Sequence, residues 1–105
     1  MLIKRIESGA RMSQAVVANG FVFLAGQVAP DPSGDVVSQT RQVLGEIDRL
    51  LALAGSSKER ILTATIYLAD VATFADMNKA WEAWVAPDGK PARATFTISM
   101  RFAAS

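Results

Sequence analysis

The segment AVVANGFVFL, residues 15–24, indicates how the fold begins. Its two apolar runs flank Asn19-Gly20, and an Asn-Gly pair between such runs is the strongest short signal for a β-hairpin with a two-residue turn. Upstream, residues 2–6 alternate roughly between apolar and polar side chains, which predicts another strand. We therefore expect the chain to open with antiparallel strands.

Two later segments have the spacing of amphipathic helices. A loop rich in Pro, Gly, Asp and Ser follows the hairpin over 26–35. From 36 to 54, apolar residues recur three and four positions apart, and Gly55 suits the helix end. A capping box of Thr73 and Asp76 predicts where a second helix begins. The helical period assigns its apolar stripe to the core: Phe74, Met77, Trp81 and Trp84.

Alternating residues over 61–68 and 93–102 predict two more strands. The order is then strands, helix, strand, helix, strand, which is an α+β domain that spans residues 1–105. Right-handed crossovers would place both helices on one face of a single mixed sheet. No segment remains to cover the other face, so we expect another subunit to cover it. That face is predicted to carry Thr63, Thr65, Tyr67, Thr95 and Thr97.

Composition excludes several classes of function. Lys and Arg number 11 against 10 Asp and Glu, without a basic stripe, so we expect no nucleic-acid partner. No apolar run approaches the roughly 20 residues of a membrane span, and no secretory signal is present, so we expect a soluble cytoplasmic domain. The chain has no Cys and no His, which excludes a thiol nucleophile, a histidine base and the usual zinc site. No metal or cofactor is predicted.

Three positions are candidates for chemistry, each with a plainer alternative. Arg93 opens the last strand beside Thr95, and its guanidinium is either a clamp for a carboxylate or a surface ion pair. Gly26 ends a strand, where backbone N–H groups bind a ligand or the turn simply needs Gly. Asn78 lies beside the aromatic stripe, where it reaches a site or solvates the helix.

Six motifs, in this order along the chain, resemble the RidA/YjgF family. The resemblance covers about residues 1–95, and the stretch over 78–85 is most similar to the YoaB-like branch. The motifs are Ser13-Gln14-Ala15-Val16, Phe23-Leu24-Ala25-Gly26-Gln27, Gln39-Thr40-Arg41-Gln42, Ala64-Thr65-Ile66-Tyr67-Leu68-Ala69-Asp70, Met77-Asn78 and Pro91-Ala92-Arg93.

This resemblance implies a chorismate-mutase-like fold, a homotrimer with clefts between its subunits, and a small-molecule partner. It further implies hydrolysis of 2-imino acids to 2-oxo acids and ammonia, with Arg93 holding the carboxylate and with Gly26 and Asn78 in the site. Met12 stands where the family has an aromatic residue, and Thr95 stands where it has Cys. The family's last strand carries a Glu that positions water, whereas residues 96–105 contain no acidic residue.

Two other functions remain open at this stage. The same cleft could bind a 2-oxo acid without converting it, as a sensing module does. The ribonuclease label attached to the family is disfavoured, because RNA binding depends on Lys and Arg that neutralise phosphates, and the net charge is only +1.

Overall fold

The computed structural model describes residues 2–97, and its elements follow the predicted order. The α+β fold class is confirmed, and the predicted part of the last strand over 98–102 lies outside the described residues. The elements are β1 (Ile3–Ser8), β2 (Ser13–Ala18), β3 (Phe21–Leu24), α1 (Val36–Leu53), β4 (Thr63–Leu68), α2 (Phe74–Trp84) and β5 (Ala92–Thr97), with short 3-10 helices at Lys58–Arg60 and Val71–Thr73.

The predicted hairpin is present. Strands β2 and β3 pair antiparallel with Ala18 opposite Phe21, so the turn contains two residues. Asn19 has φ 57° and Gly20 has φ 81°, and two successive positive φ angles are typical of the type I′ turn that follows the twist of the strands. Strand β1 pairs with β2 on its other side and completes a three-stranded antiparallel sheet.

Strands β4 and β5 form a separate parallel pair, in which Ile66 lies opposite Thr95 and Tyr67 opposite Phe96. Within residues 2–97, backbone pairing gives a three-stranded group and a two-stranded group rather than one continuous ladder. The helix between the two parallel strands is α2, as the crossover rule requires.

The core lies between the helices and the parallel pair. Leu44 of α1, Leu68 of β4, and Met77 and Trp81 of α2 form one buried cluster. The helices are also joined at their surface, where Trp84 Nε1 donates to Asp48 Oδ2 at 2.7 Å. The smallest dimension of the molecule is 22 Å, which corresponds to one helix layer on one sheet layer.

The helix ends agree with the sequence except at the start of α2. Asp35 caps α1 by accepting from the Ser38 N–H, and Gly55 has φ 77° after its last turn. The predicted capping box of Thr73 and Asp76 is wrong. The Thr73 hydroxyl donates to the Asp70 carbonyl at 2.6 Å and makes no capping hydrogen bond, because a 3-10 helix precedes α2 there.

The uncovered sheet face differs from the prediction. In-register residues of paired strands project to the same side, so Thr95 lies with Ile66 on the helix-covered side, and Thr97 with Leu68. The β4 residues Thr63, Thr65 and Tyr67 are on the uncovered side as predicted, but β5 contributes Phe96 there in place of the two threonines; Tyr67 and Phe96 are 61% and 54% exposed. This face is therefore more aromatic than predicted.

Candidate active site

Arg93, the second residue of β5, has an aromatic environment. Its guanidinium carbon lies 5.3 Å from the ring centre of Trp81 and 5.9 Å from that of Phe74, both of which belong to α2. Among residues 2–97, no carboxylate forms a salt bridge with Arg93. The guanidinium is thus held by ring faces, and its N–H donors are available to an anion.

The face of α2 that contacts Arg93 also carries Asn78. Phe74, Asn78 and Trp81 are spaced by four and three residues, so they follow one stripe of the helix. Asn78 is half-buried, between the positions of the two rings. Asn78 therefore lies on the stripe of α2 whose rings contact Arg93.

Thr95 lies two residues beyond Arg93 on the same side of β5, and it is half-buried. Arg93 and Thr95 thus lie on the side of β5 that faces the helices, and Asn78 lies on the stripe of α2 whose rings contact Arg93. Three of the five residues predicted for the site thus belong to two elements, α2 and β5, that meet at Arg93.

Gly26 and Met12 lie on the three-stranded sheet instead. Ala25 N–H donates to the Gln14 carbonyl at 2.9 Å, so exposed Gly26 follows directly after the end of the ladder. Met12, just before β2, is 50% exposed. In the part of the chain that the structure describes, no hydrogen bond, ion pair or ring contact joins Gly26 or Met12 to Arg93. Gly26 and Met12 therefore lie at the ends of strands of the three-stranded sheet, whereas Arg93 lies on the parallel pair.

The structure adds Gln27 and Gln14 to the Gly26 region. Gln27 Nε2 donates to Gln14 Oε1 at 2.9 Å and to the Ala25 carbonyl at 3.1 Å. These contacts fix the peptide that precedes Gly26. Both glutamines occur in the quoted motifs, but sequence separation alone did not show that they meet.

Phe74 and Trp81 were also missed as site residues, because their helical period alone assigned them to the core. The spacing of Asn78 between them was the available signal. This signal indicates a site only once the fold is known, because β5 then places the cationic Arg93 against the same stripe of α2.

The charged groups with shifted pKa values lie outside the region between β5 and α2. The pKa of Asp31 is lowered by hydrogen bonds from Ser33, and that of Glu7 is lowered by Arg49. Residues 2–97 contain no group of three or more potential metal-ligating side chains. A shallow pocket lined by Lys58, Glu82 and neighbouring residues contains none of the predicted site residues.

Fold and site together define a class of protein: a small α+β domain with an aromatic-flanked arginine at the edge of a sheet. The family model described as Endoribonuclease L-PSP matches residues 2–100. A RutC family protein from Haemophilus ducreyi is 48% identical over 93 residues, covering 89% of this chain and 80% of that protein. The RutC family protein YoaB of Escherichia coli is 44% identical over 95 residues, covering 90% and 82%.

A solved structure has the same fold. NMB1025 of Neisseria meningitidis, a member of the YjgF family, superposes with a TM-score of 0.88 at 43% identity, covering 99% of this chain and 85% of that one. The chain belongs to the RidA/YjgF family, with a relationship to its YoaB-like members. The chorismate-mutase-like fold is confirmed. Among residues 2–97, no helix has the length and apolarity to cross a membrane.

Proposed function

We propose that this protein hydrolyses reactive 2-imino acids, and their enamine tautomers, to 2-oxo acids and ammonia. The observation that carries the proposal is the guanidinium of Arg93, which lies against two rings without a carboxylate partner in the described residues. A planar guanidinium binds a carboxylate through two parallel hydrogen bonds, and it stays charged at every physiological pH. A 2-imino acid carries such a carboxylate next to its reactive carbon.

Hydrolysis of an imine depends more on the position of the substrate than on a strongly acidic or basic catalytic group. The oxygen of water adds to the C=N carbon, and one of its protons passes to the nitrogen to give a carbinolamine. The hydroxyl proton of the carbinolamine then passes to the nitrogen as the C–N bond breaks, which releases ammonia and the 2-oxo acid. Arg93 would orient the substrate, while the Asn78 amide and the N–H of Gly26 would donate to polar atoms near the reacting carbon. Imines hydrolyse in water unaided, so orientation and fixed donors are sufficient for a useful acceleration.

We further propose that the protein is a homotrimer whose clefts lie between subunits. Two observations support this assembly: the uncovered aromatic sheet face, and the position of Gly26 and Met12 on a different strand group from Arg93, without a contact to it in the described residues of one chain. A neighbouring copy would cover the sheet face and bring its own Gly26 edge toward Arg93. Met12 would then form an apolar part of the pocket wall.

The proposed activity is tested by generating imines with an amino-acid oxidase and trapping them with semicarbazide. Wild-type protein should reduce semicarbazone formation and speed release of the 2-oxo acid. Arg93→Ala should abolish this effect, whereas Arg60→Ala, which removes an exposed Arg elsewhere, should not. Acceleration that survives in Arg93→Ala would contradict the proposal.

A second function is binding without turnover, and one observation favours it. No acidic side chain of residues 2–97 contacts Arg93, so the described part of the site offers no carboxylate to activate water. Calorimetric binding of a 2-oxo acid without acceleration of imine hydrolysis would select this function. The ribonuclease activity in the family description is not proposed, since the net charge is +1 and the chain has no His.

A further inference from the structure

The contacts of Arg93 point to a role for α2 that the helical period alone did not indicate. Trp81 is 9% exposed and Phe74 is 41% exposed, so one ring is nearly buried and the other keeps part of its surface toward solvent. A guanidinium within about 6 Å of a ring centre is attracted to the ring face. Both rings satisfy this distance at Arg93.

Two rings restrict the guanidinium more than one would. An Arg side chain is flexible, and its rotamer freedom opposes any fixed hydrogen-bonding geometry. Trp81 also packs in the core cluster with Leu44 and Met77, so the ring against Arg93 is itself held in place. Arg93 is thereby oriented by the folded core before a ligand arrives, which lowers the entropy cost of binding.

The exposed part of Phe74 has a second consequence. A ligand whose carboxylate is bound to Arg93 would have an apolar ring within reach, 5.9 Å from the guanidinium, and no charged side chain of residues 2–97 forms an ion pair with Arg93 there. An apolar substituent would bury surface on that ring, whereas a second carboxylate would lose hydration without gaining a partner. The geometry therefore favours monocarboxylates with apolar side chains.

We propose that Phe74 and Trp81 are positioning residues for Arg93 and that Phe74 selects 2-imino and 2-oxo acids with apolar side chains. This inference rests on the proposed function, because it names the substrate class of the same site. It differs from that function in a testable way, since a clamp at Arg93 could exist without any role for Phe74.

Calorimetry with two stable probes tests the selection by Phe74. The probes are the 2-oxo acids derived from leucine and from glutamate, and the variants are Phe74→Tyr, which keeps the ring, and Phe74→Ala, which removes it. Phe74→Ala should bind the leucine-derived acid about three- to tenfold more weakly and lose the preference over the glutamate-derived acid. Phe74→Tyr should stay within about twofold of wild type, as should Val71→Ala, which truncates an exposed residue of the preceding 3-10 helix.

Tryptophan fluorescence tests the positioning role separately, because the chain has two Trp residues. In Trp84→Phe the remaining indole is Trp81, and its emission should change when the leucine-derived acid binds Arg93. In Trp81→Phe the emission comes from Trp84 and should stay constant when the leucine-derived acid is added, while the affinity for that acid falls. A role confined to folding would give neither response.

The outcomes distinguish the role of Phe74 from the proposed function. Equal affinities of wild type and Phe74→Ala for both acids would overturn the inference while the proposed function stands. Failure of the wild-type protein to bind either acid would contradict the claim that Arg93 binds a carboxylate, and both proposals depend on that claim.

Discussion

Tyr67 of β4 and Phe96 of β5 stack with their ring centres 5.9 Å apart on the uncovered side of the parallel pair. Each ring is more than half exposed. Two further exposed rings, Phe21 and Phe23 of β3, lie 6.5 Å apart on the other sheet. Exposed aromatic side chains grouped on sheet faces are typical of an interface.

The first prediction concerns this sheet face. If this face is the interface of the proposed homotrimer, Tyr67→Lys should convert the trimer to smaller species, because a buried ammonium without a partner is costly in an apolar interface. Light scattering after size exclusion measures the mass, with Val71→Lys as the control that places the same charge on an exposed residue outside the sheet. A trimer mass for wild type and Tyr67→Lys alike would show that this face is not the interface.

The second prediction compares two glycines. A Cβ on Gly89 would lie 2.6 Å from the Glu59 carbonyl oxygen and 3.1 Å from its Cα, both backbone atoms, whereas a Cβ on Gly45 would meet nothing within 4 Å. Gly89→Ala should therefore lower the free energy of unfolding by about 1–3 kcal/mol.

The matched change Gly45→Ala should have the opposite sign. Gly45 lies inside α1, where Ala is the better helix former, so the free energy of unfolding should rise by about 0.5–1 kcal/mol. Urea denaturation of both variants measures the pair. Equal destabilisation by the two changes would contradict the close approach at Gly89.

The error at Thr95 shows what alternation can and cannot predict. Alternation placed Arg93 and Thr95 on one side of β5, which is correct. It did not give the side relative to β4, because that depends on the pairing register, and a shift of one residue exchanges the two faces. The register that sets Thr95 beside Ile66 becomes known only from the paired strands.

The site was predictable to the extent that its residues carry local signals. Arg93 after a turn and Asn78 beside an aromatic stripe could both be read from the sequence and its resemblance. The contact of Arg93 with Phe74 and Trp81 could not, since it joins β5 to α2 across the loop of residues 85–91. The pairing of Gln14 with Gln27 was hidden for the same reason, because it depends on the hairpin register.

The third prediction concerns Glu7 and Arg49. Arg49 Nη2 donates to Glu7 Oε1 at 3.1 Å, and Arg49 also pairs with Glu46 at 2.9 Å. The hydrogen bond from Arg49 lowers the pKa of Glu7 from its ordinary value of 4.5. Because the folded-state pKa is depressed, the stabilisation is present above about pH 4.5 and is lost as the pH falls through the folded-state value.

The urea midpoint measures this dependence. Glu7→Gln should differ from wild type at pH 7, and the difference should be smaller at about pH 3, because the stabilisation by Glu7 is lost as the pH falls through its lowered folded-state pKa. Glu82→Gln changes an exposed Glu that forms no ion pair within residues 2–97, and it should show no such dependence. A difference that is constant between the two pH values would mean that the ion pair does not stabilise the fold.

The last prediction separates the stability of the helix layer from the affinity of the site for 2-oxo acids. Trp84 Nε1 donates to Asp48 Oδ2 at 2.7 Å, and Lys58 Nζ donates to the Trp84 carbonyl at 2.6 Å near the end of α2. Asp48→Ala removes the acceptor on α1 and should lower the free energy of unfolding by about 0.5–1.5 kcal/mol, while Asp48→Asn keeps an acceptor oxygen and should cost less. Combined with Trp84→Phe, Asp48→Ala should add little, because both changes break the same hydrogen bond. The affinity for 2-oxo acids should be unchanged in every one of these variants, since Trp81 rather than Trp84 contacts Arg93. A parallel loss of affinity would show that a change at Trp84 reaches Arg93 through Trp81, whose ring centre lies 5.6 Å from that of Trp84.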